Sequence, residues 1–490
     1  MAAAVAAAVL AAPLTAANET WLRAQTPHLT IVSSANERAT REVAQRLERF
    51  VDALASLTSL DVQPDVPVTV MLFRDEKAFA PFRPKQNGRT LNLAGYFRRG
   101  DDQNLIALHL GGSGEKHSDR VVFHEYAHAL TSRAAALWPL WLQEGLAEFS
   151  STFQADGRRV EFGDPVRDHL RLLRTERWLP LRTVLAVDRS SPLYNEDAQN
   201  IYYAQAWALV HYLMVGDHGR HRGGLAQFMG RLSAGLAPGL AFAESFGGGG
   251  ETALEYDLRR YITADRYLDE DMTFDRPVPL VALSLRVLTS AEADIFQGNL
   301  LMRVGRRDEA APYLARARVA DPKTPGLEES LGFLALLEGR ADDALTHFRL
   351  AIAQDPANHL AHYYAAEALR RPLANQGRPL PPGVAREMMA PLGAAIALAP
   401  SFARGYYLLG LAHYAAGEDL DEGVRVLRIA MRLAPPYRAA MLMLASIQLK
   451  QRDFTAAMAT AQAIIDAPDA NDRVKAEARL VANQASALLR

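Results

Sequence analysis

The alternation of apolar and polar residues changes rhythm twice along this chain. In the N-terminal part, short apolar runs at 29–33, 68–73 and 104–110 predict strands, with a further one at 93–97. Between the first two lies 37–60, where Val43, Leu47, Phe50, Val51, Leu54 and Leu57 recur at helical spacing and predict a helix with one buried face. This part is therefore α+β. From 118 onward the period is helical. Val121, Val122, Phe123, Ala127, Ala129 and Leu130 supply the apolar surface of one helix, and Leu140, Trp141, Leu142, Leu146 and Phe149 that of the next. The stretch 164–267 is mostly helical, with an apolar and aromatic core at 201–213 and an amphipathic helix at 251–267. The glycine run 247–250 reads as a loop with no chemistry, since phosphate cradling needs a flanking strand and a lysine.

The second change follows a charged, Pro-bearing interval, 268–289, which reads as a linker. Beyond it the chain repeats. Gly298, Ala310, Ala317 and Pro322 return thirty-four residues later as Gly332, Ala344, Ala351 and Pro356. A third unit closes at Pro400, with an insertion carrying Pro372, Pro379, Pro381 and Pro382. Gly410, Gly417, Ala430 and Pro435 mark a fourth, Ala445 and Ala457 a weaker fifth, and 472–489 is a capping helix. The period and its small residues resemble the tetratricopeptide (TPR) repeat, in which glycine and alanine let paired helices touch. That resemblance implies an all-α solenoid over 290–490 whose concave face binds a protein partner.

Chemistry concentrates in 118–150. His124-Glu125-Tyr126-Ala127-His128 puts two imidazoles on one helical face, a turn apart, able to close on one ion. Glu125 lies about 100° round that helix, within reach of a water held by the ion. Two histidines do not complete a catalytic zinc site, so a third protein ligand is expected to follow. Glu144 and Glu148 then share a face of an otherwise apolar helix, and burying two carboxylates there demands partners. These residues resemble the gluzincin metallopeptidases, in which H-E-x-x-H is followed by a helix of the pattern W-L-x-E-G-x-A-E, here Trp141 to Glu148. The resemblance implies a zincin-like catalytic domain and Zn2+ held by His124, His128 and Glu144. It implies Glu125 as general base and Glu148 as the carboxylate that orients His124. The connection 129–143 is shorter than in the thermolysin and aminopeptidase N types, and Glu148 stands nearer their usual ligand distance. The surrounding pattern nevertheless matches around Glu144. The aminopeptidases of this clan also carry Y-E-K-G before an apolar helix. Tyr203-Ala204-Gln205 fits that register and makes Tyr203 the implied oxyanion donor, with Tyr202 and His211 as lesser candidates. By the same resemblance the strand at 104–110 is the expected peptide-binding edge. The Gly-x-Met-Glu-Asn element that grips a free amino terminus is absent, which points to an endopeptidase.

A formal net charge of −2 argues against nucleic-acid and acidic-membrane binding. With no cysteine, disulfides, thiolate metal sites and a Cys nucleophile are excluded. Residues 1–17 are Ala-Val-Leu-rich and end in small residues like a signal peptide, though without an early Lys or Arg; they are too short and weakly apolar for a membrane span. The expected division is thus 1–17 signal-like, 18–115 the α+β part and 116–267 the helical zinc-binding part of a peptidase domain. A linker over 268–289 and TPR repeats over 290–490 complete it. The expected function is zinc-dependent peptide hydrolysis by an exported (periplasmic or secreted) protein, or otherwise a cytoplasmic one. A catalytically inactive scaffold of the same fold, acting through its TPR repeats, is the alternative.

Overall fold

The computed structural model describes residues 19–490 apart from 61, 63, 65, 87, 94, 101, 111–114, 133–136, 157, 189–190, 195–199, 248–249, 265–266, 268–269, 274–282, 468–469 and 490. The signal-like segment 1–17 lies outside the described residues.

The apolar runs become the strands of one mixed sheet. Its members are β1 (Leu22–Gln25), β2 (Leu29–Ser33), β3 (Val68–Phe73), β6 (Gly95–Arg98), β7 (Asn104–His109) and β11 (Ser284–Val287), in the order β11-β1-β2-β3-β7-β6. β2, β3 and β7 are parallel, with Leu29 opposite Val68 and Val68 opposite Asn104. β1 and β6 are antiparallel to their neighbours. A separate hairpin joins β4 (Lys85–Gln86) and β5 (Arg89–Thr90). Every residue of β3 and β7 is buried, because both faces of the sheet are covered.

The two faces sort by alternation. Ile31, Val70, Leu72, Ile106 and Leu108 pack under α1 (Glu37–Thr58) and α3 (Glu115–Thr131). Asn36 caps α1, its side chain accepting the backbone N–H of Ala39. On the opposite face Val32, Met71, Phe73, Leu105 and Ala107 join Phe79 of the short α2 (Glu76–Phe79). They pack against the first helices beyond residue 289, through Ala291, Ile295, Leu300, Leu301 and Leu314.

After α3 the chain forms α4 (Leu140–Ser150), then β8 (Gln154–Asp156) and β9 (Arg159–Phe162). Helices α5 (Arg167–Thr175), α6 (Leu181–Ala186), α7 (Ile201–Gly219), α8 (Arg222–Ser233), α9 (Pro238–Phe246) and α10 (Gly250–Ala264) follow. α7 is buried over nearly all its length, as its unbroken apolar run requires.

The interval 268–289 corrects the linker expectation. Its residues form β10 (Glu270–Thr273), which pairs with β9, and β11, which extends the main sheet beside β1. The Leu288 N–H then bonds the Trp21 carbonyl at 2.8 Å, and Thr289 with Glu292 makes the capping box of the next helix. A charged, proline-bearing composition is as compatible with short edge strands as with a linker.

Five helix pairs complete the chain: α11 (Ser290–Arg303) with α12 (Arg307–Ala320), α13 (Leu327–Leu337) with α14 (Ala341–Gln354), and α15 (His359–Asn375) with α16 (Pro382–Leu398). The last two are α17 (Ala403–Ala416) with α18 (Leu420–Leu433), and α19 (Arg438–Lys450) with α20 (Phe454–Ile465), ahead of the terminal α21 (Asp472–Leu489). The repeated glycines act as the spacing suggested. A Cβ on Gly332 would stand 2.8 Å from Phe348, and one on Gly410 2.5 Å from Leu427, each on the partner helix.

The solenoid is fastened to the sheet domain by charge as well as apolar surface. Asp102, in the β6–β7 connection, takes two bonds of 2.7 Å from the Arg303 guanidinium of α11 and a third of 2.7 Å from the Tyr364 hydroxyl of α15. Lys85 reaches Glu309 at 2.7 Å. Among the described residues no helix is long and apolar enough to cross a membrane.

Candidate metal centre

α3 and α4 meet so that the polar faces of both helices are turned on each other inside an apolar shell. Nε2 of His124 lies 3.2 Å from Nε2 of His128. Oε2 of Glu144 is 3.7 Å from the first and 3.4 Å from the second. Such a triangle is close to the ligand-to-ligand edge, about 3.3 Å, of a tetrahedron with bonds of about 2.0–2.1 Å. Two imidazole nitrogens and one carboxylate oxygen, without a thiolate, form a set able to hold one divalent cation with a position left open. Burial alone would push the Glu144 carboxyl up. Its contact with His128 and the charge of His124 outweigh that and hold it below the usual carboxylate range.

Glu148 sits one turn further along α4 and faces the opposite side of His124, its Oε1 3.4 Å from Nδ1. The other oxygen is 3.1 Å from Nε2 of His169 on α5, off the hydrogen-bond line, and 3.4 Å from the Arg120 guanidinium of α3. Burial raises this carboxyl, but His124, His169 and Arg120 together bring it down to about 2. Neither Arg120 nor His169 is among the site residues expected from the sequence. Arg120 precedes His124 by one turn, a usable hint, whereas His169 is a lone histidine in an amphipathic helix.

The third side of the site comes from α7. Asn200 caps it, its side-chain oxygen accepting from the N–H groups of Tyr202 and Tyr203. Gly145 brings α7 close: a Cβ there would lie 2.4 Å from the Ala206 carbonyl oxygen and 2.6 Å from Val210. Tyr203 is buried, and its ring stacks on Tyr194 at 6.1 Å. Burial and then the charges of Glu144, Tyr194, Glu148 and Glu125 raise its hydroxyl, so at neutral pH it stays protonated as a donor. The hydroxyl of Tyr202 is raised by burial and by Glu144 as well, but its ring is fully enclosed.

His211 is excluded as a site residue. Its Nε2 meets the Gly163 carbonyl at 2.7 Å and its Nδ1 the Tyr261 hydroxyl at 3.0 Å, so both ring nitrogens are engaged. It ties the end of β9 to α7 and α10. The expected peptide-binding edge is corrected too. β7 is flanked on both sides by β3 and β6, and β6 is the outer strand, packed beside α3. The apolar run at 104–110 is strong because it is interior to the sheet, not because it borders a cleft.

A tetratricopeptide repeat family model matches residues 297–359 and 416–472, so the C-terminal helices are TPR repeats. A second family, described only as a protein of unknown function (DUF1570), matches residues 121–234, the span that holds His124, Glu125, His128, Glu144, Glu148, His169 and Tyr203. No curated protein matches the chain. Among solved structures, residues 41 to the end of MamA from Desulfovibrio magneticus RS-1 are 23% identical over 38% of this chain and 98% of that one, with a TM-score of 0.33. YrrB, described as a TPR protein with an unusual peptide-binding site, is 16% identical over 39% and 92%, also with a TM-score of 0.33. TTC0263, a TPR protein from Thermus thermophilus, is 22% identical over 41% and 100%, with a TM-score of 0.28. Superpositions of that quality say nothing of function.

Proposed function

We propose that the chain is a zinc-dependent peptidase of gluzincin type, more specifically an endopeptidase, with zincin-like architecture in its first half and a TPR module that binds a protein partner. The observation that carries this reading is the convergence of His124, His128 and Glu144 with Glu125 on the same helix; the charges of Glu144, Glu148 and Glu125 also act on the Tyr203 hydroxyl. Zn2+, when bound, supplies Lewis acidity that polarises a carbonyl and lowers the pKa of a water to about 7.

The remaining work falls to the chain. Glu125 takes the proton of the attacking water and returns it to the leaving amine. Tyr203, kept protonated, donates to the oxygen on which negative charge develops. Glu148 accepts the Nδ1–H of His124, so the Nε2 lone pair points at the ion. β6 pairs only with β7 among the described residues, and its outer edge suits an extended peptide added as a further strand. The apolar 1–17 accords with export to the periplasm or outside the cell; amino-terminal sequencing of the mature protein checks this.

Glu125→Gln keeps the size and hydrogen bonding of the side chain but cannot accept a proton. Zinc content should stay near normal while activity falls by about 10²–10⁴-fold. Full proteolysis by that variant would sink the reading. The rival, a scaffold that retains the shell of a peptidase and acts through its repeats, is favoured if wild-type protein holds zinc yet cleaves nothing in a broad peptide library.

A further inference from the structure

We infer that His169 is a positioning residue for the metal centre: through Glu148 it fixes the orientation of His124 and so the affinity of the site. The inference rests on the zinc reading above.

An imidazole that points one nitrogen at a metal carries its proton on the other, and that proton needs a fixed acceptor. For His124 the oxygen beside that nitrogen is Oε1 of Glu148, at 3.4 Å. A carboxylate has two oxygens, and what the second one meets decides which way the group is turned. Here Oε2 meets Nε2 of His169 at 3.1 Å and the Arg120 guanidinium at 3.4 Å. The two partners differ in kind. Arg120 is nearly a third exposed, so solvent screens its charge and its long side chain can move. His169 is buried, its ring 5.8 Å from that of Trp207 and its backbone in the first turn of α5. Neither of its ring nitrogens has a hydrogen bond of good geometry among the described residues, and the polar group nearest Nε2 is the Glu148 carboxylate. A buried polar ring held only by a charge contact is a poor filler for a core position, where an apolar side chain of the same size would be less unfavourable. Its contact with Glu148 accounts for its presence. The arrangement is a chain of three groups, the partly buried His124 and the buried Glu148 and His169, drawn from α3, α4 and α5 in turn.

The test measures Zn2+ dissociation constants of the full chain by competition with a chromophoric chelator, alongside the electronic spectrum of the Co2+-loaded protein. His169→Leu nearly keeps the volume and removes the nitrogen that lies against Glu148. Zinc affinity should fall by about 3–30-fold, less than loss of the direct partner Glu148 at about 10–100-fold. His169→Gln, whose amide reaches the same oxygen, should restore most of the affinity and the wild-type cobalt bands. In a Glu148→Ala background the His169→Leu change should have no further effect. Unchanged affinity in His169→Leu, or an equal loss with and without Glu148, would overturn the inference and leave the metal site standing. If His169→Leu does not fold, His169→Asn replaces it: the same amide, one methylene shorter, should bind zinc more weakly than His169→Gln, and equal affinities overturn the inference. A folded wild-type protein that takes up no Zn2+ overturns the site reading itself, and this inference with it.

Discussion

Glu144 and Glu148 lie one turn apart on the same face of α4, yet their surroundings give them different work. Glu144 looks at the Nε2 atoms of both histidines, Glu148 at the far side of one. Glu144→Ala should therefore abolish stoichiometric zinc, whereas Glu148→Ala should weaken it by about 10–100-fold; metal analysis after dialysis separates them, and the reverse ranking would mean the two roles are exchanged. Tyr203→Phe removes one hydroxyl and should lower turnover by about 10²–10³-fold with little change in Michaelis constant, because the bond exists only in the transition state. A third residue-level prediction concerns pH. The hydrogen bond and charge of Glu48 raise His28 above its ordinary value, against the opposing effect of burial. A raised folded pKa contributes stability that is complete below the unfolded value of about 6.5 and is lost as pH rises through the folded one. The melting temperature of metal-free protein should thus decline as pH is taken up from about 6.5, and His28→Gln should flatten that part of the profile.

Helix contacts set the site's shape, and α4 and α7 approach closely at Gly145. In a solvent-facing helix, glycine to alanine would stabilise by about 0.5–1 kcal/mol. At Gly145 the added carbon would meet a backbone oxygen of α7 at 2.4 Å, which cannot swing aside. Gly145→Ala should instead destabilise by about 1–3 kcal/mol, as overpacking does, and move Tyr203 away from Glu144. Thermal melts together with turnover numbers check it: a stabilised, fully active variant would show that the two helices can part without consequence. β6 belongs to the same level. Its four residues border α3, while the longer β7 runs inside the sheet.

One face of the sheet and the first helices of the solenoid share an apolar cluster, which spans the place where composition suggests a boundary. A chain ending near residue 281 would lose β11 and strip α11 and α12 from Met71, Phe73, Leu105 and Ala107. It should aggregate, while a chain ending at residue 354 keeps that cover and should stay soluble and bind metal; sedimentation and metal content decide between them. The Asp102 clamp extends this argument. Arg303 and Tyr364 come from α11 and α15, the first helices of the first and third repeats, so the β6–β7 connection is bonded to both repeats at once. Arg303→Met strands a buried carboxylate and should cost about 3–5 kcal/mol. Because the same connection follows directly from β6, loosening it should also disturb the outer strand beside the metal centre.

Much of this was legible in the chain itself. A helical period of 3.6 places residues four apart on one face whatever the rest of the molecule does, so His124 with His128 and Glu144 with Glu148 followed from spacing. The thirty-four-residue recurrence of Gly298 and Gly332 likewise follows from one helix pair stacking on the next. Only tertiary structure decided which carboxylate meets which nitrogen, that His211 is taken up by Gly163 and Tyr261, and that His169 stands behind Glu148. It also decided that 268–289 returns to the sheet and that β6 rather than β7 is the outer strand. The physical difference is range. Period and capping act through neighbours a turn away, whereas strand order and side-chain partners across helices depend on which of many distant surfaces bury each other best, and no local pattern encodes that choice.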